Sequence, residues 1–164
     1  MDTESSNTIE KDDAQLVCFL WGSHEMGIPI IQVKETLASR PMTRVFLTPP
    51  FVMGVVNVRG EILAVLDLAR LMGLSPVKYR QESKIIVVES KGRKWGILVD
   101  SMTGVKTIAD GRKSEAKELF PQAPMWLTGV LSYDGVSIGI LDMESLLNTE
   151  DLQALLKTDG AFAG

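Results

Sequence analysis

Short apolar runs broken by glycine and proline dominate the chain, and the period is that of strands rather than long helices. Residues 15–21 (QLVCFLW) form an apolar run with aromatics and read as a strand. Polar residues 22–25, with His24 among them, turn the chain. Residues 27–33 (GIPIIQV) return as a second strand, limited by Pro29, which lacks a ladder donor. The stretch 34–40 fits either a strand or a helical turn. Residues 44–47 read as a brief extended piece, and Thr48-Pro49-Pro50 is a stiff connector. The clearest signal is 54–73, GVVNVRGEILAVLDLARLMG, which organises the rest. It predicts two strands around Arg59-Gly60, with Gly60 supplying the positive φ of a tight turn. Asp67 then stands at an N-cap position before Leu68, Leu71 and Met72, and Gly73 ends that short helix.

After a polar stretch at 75–83, a second set of strands follows. Runs 84–89 and 94–99 flank a glycine turn, and 104–108 is a further candidate strand. Residues 110–119 are charged and fit a helix or a loop. Pro121 and Pro124 stiffen the next connector. Runs 126–133 and 136–141 flank Asp134-Gly135, a strong type I′ turn dipeptide. Residues 150–157 predict an amphipathic helix carrying Leu152, Leu155 and Leu156, capped by Asn148 or Thr149.

The second half repeats the first. GVVNVRGEILAVLDLARL from Gly54 aligns without a gap on GVLSYDGVSIGILDMESL from Gly129, at an offset of 75 (129 − 54, 146 − 71). Asp67 then matches Asp142. Upstream, Gly27-Ile28 matches Gly96-Ile97 and Val33 matches Met102, at an offset of 69 (96 − 27, 102 − 33). Two copies are too few for a solenoid. Two small β lobes packed as a pair fit better, and barrels would hide their strand edges. Where copy two has Tyr133-Asp134-Gly135, copy one has Val58-Arg59-Gly60. A turn built only for folding could use Asp-Gly twice, so the long Arg59 cation fits a functional role as well as it fits a solvated turn residue.

Composition narrows the function classes. The chain has 164 residues, 45% hydrophobic and 23% charged, with a net charge of −4. Scattered Lys and Arg argue against nucleic acid as the main partner. Cys18 is the only cysteine, which excludes an internal disulfide. The acidic start MDTESSNTIEKDDA is unlike a secretory signal, and no apolar run is long enough to span a bilayer, so a cytoplasmic location is expected. His24 is the only histidine, leaving no paired metal-ligand spacing. Cys18, inside an apolar strand, reads as a buried small hydrophobe unless His24 reaches it across the hairpin. Asp67 and Asp142 read as two caps rather than an acid pair, and Asp100 as a turn acid without an obvious partner. Trp21, Trp95 and Trp126, with Met42, Met53, Met72, Met102 and Met125, read as packing groups. No feature argues for catalysis, a metal or a cofactor.

The run Gly54-Val-Val-Asn-Val-Arg-Gly60, followed by Ile62-Leu-Ala-Val-Leu-Asp-Leu68, resembles the CheW-like chemotaxis coupling family. Gly27-Ile28 with Val33-Lys34-Glu35, Gly96-Ile97-Leu98-Val99-Asp100 and Leu127-Thr128-Gly129-Val130 add to the resemblance, which runs over about residues 15–156. It implies an all-β fold of two linked five-stranded SH3-like β-barrel lobes with short helices and a C-terminal helix. The expected division is a flexible tail at 1–13, one two-lobed domain at 14–158 and a tail at 159–164. The lobe boundary is expected near 75–83, with strands exchangeable between lobes. It further implies a non-catalytic adaptor that holds a chemoreceptor hairpin against the regulatory domain of a CheA-type histidine kinase. Recruitment to membrane arrays would then come through protein contacts, with array or ring assembly open to it. Carried over by position, the receptor groove would include Val17, Ile30, Val33 and Met102, with Glu35, Gly54 and Arg59 beside them. Met102 is larger and softer than the valine often found there. The competing reading is a small-ligand-binding β-barrel protein or an enzyme, which would need convergent polar groups in an apolar cavity. A purely structural subunit is a third.

Overall fold

Residues 15–156 are described in the computed structural model; the tails expected at 1–13 and 159–164, and Lys157 of the expected last helix, lie outside them. The apolar runs become β1 (Gln15–Trp21), β2 (His24–Pro29), β3 (Val33–Ala38), β4 (Val52–Val58), β5 (Glu61–Leu66), β6 (Lys84–Ser90) and β7 (Arg93–Val99). They continue as β8 (Ser101–Thr107), β9 (Arg112–Ser114), β10 (Leu127–Tyr133) and β11 (Val136–Leu141). Helices α1 (Leu68–Leu71), α2 (Met143–Leu147) and α3 (Glu150–Leu156) are short. The fold is all-β, in two sheets ordered β8-β1-β2-β11-β10-β9 and β3-β6-β7-β5-β4. Five long strands make each an SH3-like unit, with the three-residue β9 added to one.

The repeat is visible in the register. Gly54 and Gly129 both lie at bulges and face Val65 and Ile140, residues again 75 apart. Each β-hairpin joins its neighbour by one parallel pairing, Val65 with Gly96 and Ile140 with Gly27. The amides of Asp67 and Asp142 donate to Phe51 and Trp126 at 2.7 and 2.8 Å. The copies exchange strands. The hairpin β1–β2 of the first copy sits with β8, β10 and β11 of the second, and β6–β7 of the second sits with β3, β4 and β5 of the first. The chain changes sheets at the 3-10 turn Ile30–Gln32 and at Asp100, whereas 75–83 joins α1 to β6 beside a single sheet.

Exchange forces a shared core. In β1, Leu16 and Cys18 point into a small cluster with Leu131, Ile138 and Ile140. Alternation turns Phe19 and Trp21 the other way, into a large cluster with Val65, Ile85, Val88, Ile97 and Leu98 of the second sheet. Trp21 Nε1 donates across that interface to the Leu98 carbonyl at 3.0 Å. Leu146 and Leu147 of α2 and Leu152 and Leu155 of α3 seal the same cluster.

Several expectations need correction. The second strand stops at Pro29, and the following residues form the 3-10 turn rather than more strand. His24 is not in the turn but opens β2, opposite Trp21. Residues 44–47 are not extended: they belong to a loop in which Leu47 takes φ 64°, and Thr43 is the residue that pairs, with Val55. The ambiguous 34–40 stretch is mostly β3, and 110–119 holds β9 and a 3-10 turn at Ala116–Glu118. Met125 is 81% exposed rather than packed. Asp100 does have a partner, since its carboxylate accepts from the Gly22 amide at 2.6 Å.

The two helix-start aspartates differ. Asp142 caps α2, accepting from the Glu144 amide at 3.3 Å and the Ser145 hydroxyl at 2.7 Å. Asp67 makes no cap bond. Its carboxylate is buried and turns to the Val77 amide at 3.0 Å and Arg70 Nε at 3.5 Å, leaving Oδ1 without a partner. Burial pushes the Asp67 carboxyl above its ordinary value, against the pull of Val77 and Arg70. Burial opposes ionisation of Asp142 too, but bonds from Gln32, Ser145 and the Glu144 amide outweigh it and hold that carboxyl low. The last helix is capped by Thr149, whose hydroxyl accepts from the Leu152 amide at 3.3 Å.

Asp142→Ala should cost about 1 kcal/mol at neutral pH. The penalty should shrink as pH falls through the lowered pKa of Asp142, where the parent loses that stabilisation. For Asp67→Asn the sign reverses. The raised carboxyl stabilises the parent below its unfolded pKa and ceases to do so as pH rises through the folded value, so the variant should gain on the parent with rising pH. Urea unfolding across the carboxylate range reads both slopes. Gly54 has φ 155°, and a Cβ there would lie 2.6 Å from the Thr43 carbonyl oxygen. Gly54→Ala should break the Thr43–Val55 bridge and destabilise by about 1–3 kcal/mol, measured by the same unfolding.

Candidate functional site

The two places where the chain passes between sheets carry Val33 and Met102. Val33 opens β3 opposite Val88. Met102 lies in β8 opposite Phe19. Val88 and Phe19 are themselves offset by 69, so the two sites are pseudo-equivalent (88 − 19). Both side chains are half-buried, and both pack on the one inter-sheet cluster rather than in separate interiors. Ile30, half-buried, precedes Val33 in the 3-10 turn, which touches both β1 and β6. Val17 is 7% exposed and sits in β1 between Ile28 and Val105, the latter 54% exposed.

Charge enters two residues along β3. Glu35 forms an ion pair with Arg59 at the tip of the β4–β5 hairpin. Their strands are the two edges of the five-stranded sheet, so this contact spans the gap between the edges. Arg40 Nη1, donating to the Asn57 carbonyl at 3.4 Å, and the Thr43–Val55 bridge help draw the same edges together. The Arg59 side chain remains 71% exposed, with its guanidinium available to more than Glu35.

Local sequence explains the tip. Arg59 and Gly60 both have positive φ, 52° and 88°, and Asn57 Oδ1 accepts from the Gly60 amide at 3.0 Å. The Asn-Val-Arg-Gly run is thus a side-chain-braced two-residue turn. Lys91-Gly92 and Asp134-Gly135 have the same pair of positive angles. A long cation in this conformation is therefore not unique to Arg59; Lys91 pairs with Glu144 at 3.3 Å. Arg59 is set apart by its place beside Glu35 and the Val33 end of β3. Gly54 is buried, and the close approach it permits is made by the Thr43 backbone of its own chain.

Gln32 joins the site from a position without a local sequence signal. Its Nε2 donates to Asp142 Oδ1 at 2.7 Å, and its Oε1 accepts from the Met143 amide at 2.9 Å. A lone glutamine in an apolar run has no local pattern to mark it; the Asp142 cap was the only visible half of the pair.

The groups that could support other chemistry are apart. Cys18 pairs with Gly27 and His24 with Trp21, three ladder steps away, or about 10 Å along the hairpin. The thiol is buried, pushed up to about 11 mainly by desolvation, and shares its surroundings with Glu25 and Lys106. His24 instead lies 5.7 Å from the Phe120 ring. Among the described residues, no group of three or more His, Cys, Asp and Glu could hold a metal, and no helix is long and apolar enough to cross a membrane. A cavity of about 430 Å³ lies under the 44–50 loop, lined by Arg44, Phe46, Leu47, Met53 and Arg70 among others. Its Phe46 and Leu47 are exposed.

Known proteins match this arrangement along nearly its whole length. The CheW-like domain model matches residues 15–151. A probable chemotaxis protein CheW of Rhizobium etli is 26% identical over 148 residues, covering 90% of this chain and 96% of the relative. The chemotaxis protein CheW of Klebsiella aerogenes is 30% identical over 139 residues, 84% of each chain. Protein FrzA of Myxococcus xanthus is 26% identical, covering 90% of this chain and 93% of its own. Among solved structures, the scaffolding protein TtCheW from Thermoanaerobacter tengcongensis superposes with a TM-score of 0.70 at 26% identity, covering 85% of this chain and 95% of that one. The strand-exchanged double β unit, the braced Asn-Val-Arg-Gly turn and the matched residues 15–151 agree: this chain belongs to the CheW-like family.

Proposed function

We propose that this protein is a non-catalytic chemosensory adaptor. It couples the cytoplasmic hairpin tip of a chemoreceptor to the regulatory domain of a CheA-type histidine kinase, and reaches membrane arrays through those contacts. The observation that carries this reading is the placement of Val33 and Met102 at two pseudo-equivalent crossings, half-buried on one shared core. A furrow between two lobes of one domain suits an amphipathic helix better than a small molecule. Ile30, Val33 and Met102 would take the apolar stripe of the receptor hairpin, with Val17, already 7% exposed, adding little further area. Each side chain covered is worth about 1.5–3 kcal/mol at most, before the costs of association. Arg59 and Glu35 would fix register at one end by exchanging part of their mutual ion pair for contacts with the receptor. Relatives named for chemotaxis and a structural neighbour named as a scaffolding protein support the class of function. The separation of Cys18 from His24 removes the only nucleophile–base pair the enzyme reading had.

Turn geometry separates folding from function at Arg59. Asparagine suits a positive φ better than arginine does. Arg59→Asn should therefore keep or raise the melting temperature. It should also weaken binding of a soluble receptor hairpin by about tenfold, roughly 1.4 kcal/mol. Titration calorimetry on the folded variant measures this, and unchanged affinity would refute the assignment. In a three-component reconstitution, receptor control of kinase activity should require this protein and fail with Arg59→Asn.

A further inference from the structure

We propose that Gln32 is a positioning residue, an amide clamp that ties the first sheet crossing to the start of α2 and so sets the Ile30–Val33 edge of the furrow. This rests on the adaptor reading above and adds to it a residue that does not itself touch the receptor.

Both ends of the Gln32 amide are used, and they are used in a complementary way. The NH2 group donates to the Asp142 carboxylate, and the carbonyl oxygen accepts from the Met143 amide. The partners lie 110 and 111 positions away in sequence, at the end of β11 and the first residue of α2. Asp142 is itself held by Ser145, by the Glu144 amide and by its own amide to the Trp126 carbonyl. Helix α2 packs against β6, the strand that pairs with β3. A closed circuit results, in which β11, the clamp, Val33, β6 and α2 hold one another. Displacing Gln32 would free the two furrow residues on either side of it.

The repeat supplies an internal comparison. At the offset that matches Val33 with Met102, the residue matching Gln32 is Ser101, too short to reach across a helix start. The aspartate matching Asp142 is Asp67, whose Oδ1 is buried without a partner. The clamp is therefore present on only one of the two crossings, the one that carries Ile30 and Val33. The second crossing is held differently, by the Asp100 carboxylate accepting from the Gly22 amide at 2.6 Å.

A swap of donor and acceptor tests the proposal. Gln32→Glu sets two carboxylates against each other and should weaken binding of a soluble chemoreceptor signalling-tip hairpin by about fivefold. Adding Asp142→Asn reverses the polarity, since the asparagine can donate to the new glutamate while its carbonyl still accepts from Ser145, at the cost only of the long 3.3 Å bond from the Glu144 amide. That double variant should return to within about twofold of the parent. Binding of the kinase regulatory domain should be the same in all three. Methyl resonances of Ile30 and Val33 should move in Gln32→Glu and return in the double variant. If Gln32→Glu does not fold, Gln32→Ala replaces it, with a loss of about threefold expected.

Parent-like hairpin affinity in the folded single variant overturns the proposal, and so does a double variant that is not restored. Parallel loss of hairpin and kinase binding also overturns it, because that marks general destabilisation. A parent that fails to bind the hairpin strikes the adaptor reading instead, and the methyl resonances then decide the clamp independently.

Discussion

The structure depends on one constraint: neither copy of the repeat can complete a sheet by itself. The hairpin β1–β2 finds its neighbours in β8 and β11, and β6–β7 finds its own in β3 and β5. Exchange places Phe19, Trp21, Met26 and Ile28 against Ile85, Val88, Ile97 and Leu98, so that the two sheets bury a common core. Separating the sheets would expose that core and leave strand edges unpaired. The relative position of the lobes is consequently fixed by the same burial that holds each lobe together. The seam between them is rigid for that reason.

Duplication did not leave the halves identical, and the differences are local and physical. Asp142 is half-buried, fully bonded and held ionised; Asp67 is buried, lacks a partner at one oxygen and is pushed toward its neutral form. Asp134-Gly135 uses a residue at home in a type I′ turn, whereas Arg59-Gly60 places an arginine in a backbone conformation that disfavours it. Arg59 is drawn instead to Glu35 across the open edges of its sheet. The β10–β11 tip has thus kept turn residues suited to folding, and its counterpart carries a cation tied to Glu35. Asymmetry of this kind gives a pseudo-symmetric molecule two distinguishable crossings.

The proposed recognition rests on the residues at the two crossings. The apolar residues proposed for recognition sit on strands and on a short turn tied to α2 through Gln32, so little order would have to be gained on binding. The charged pair is exposed enough to be remade with a partner, yet is anchored by a braced turn. Methionine at position 102 lends one side an adaptable contact without softening the strand that holds it.

Much of this was legible in the sequence because it is written in short-range chemistry. Alternation and Gly-containing turns gave the strands of both hairpin pairs, and a gapless offset of 75 gave the duplication, since each copy must satisfy the same bulge, turn and helix start. The Val33–Met102 equivalence followed from the same offset logic. What tertiary structure alone decided is how the copies combine. Strand exchange, the shared core, the fate of Asp67 and the partner of Gln32 all depend on residues far apart in sequence, where local propensity has no preference. Leu47 and Met125 show the same limit in reverse, for an apolar side chain is packed or exposed according to whether another segment arrives to cover it.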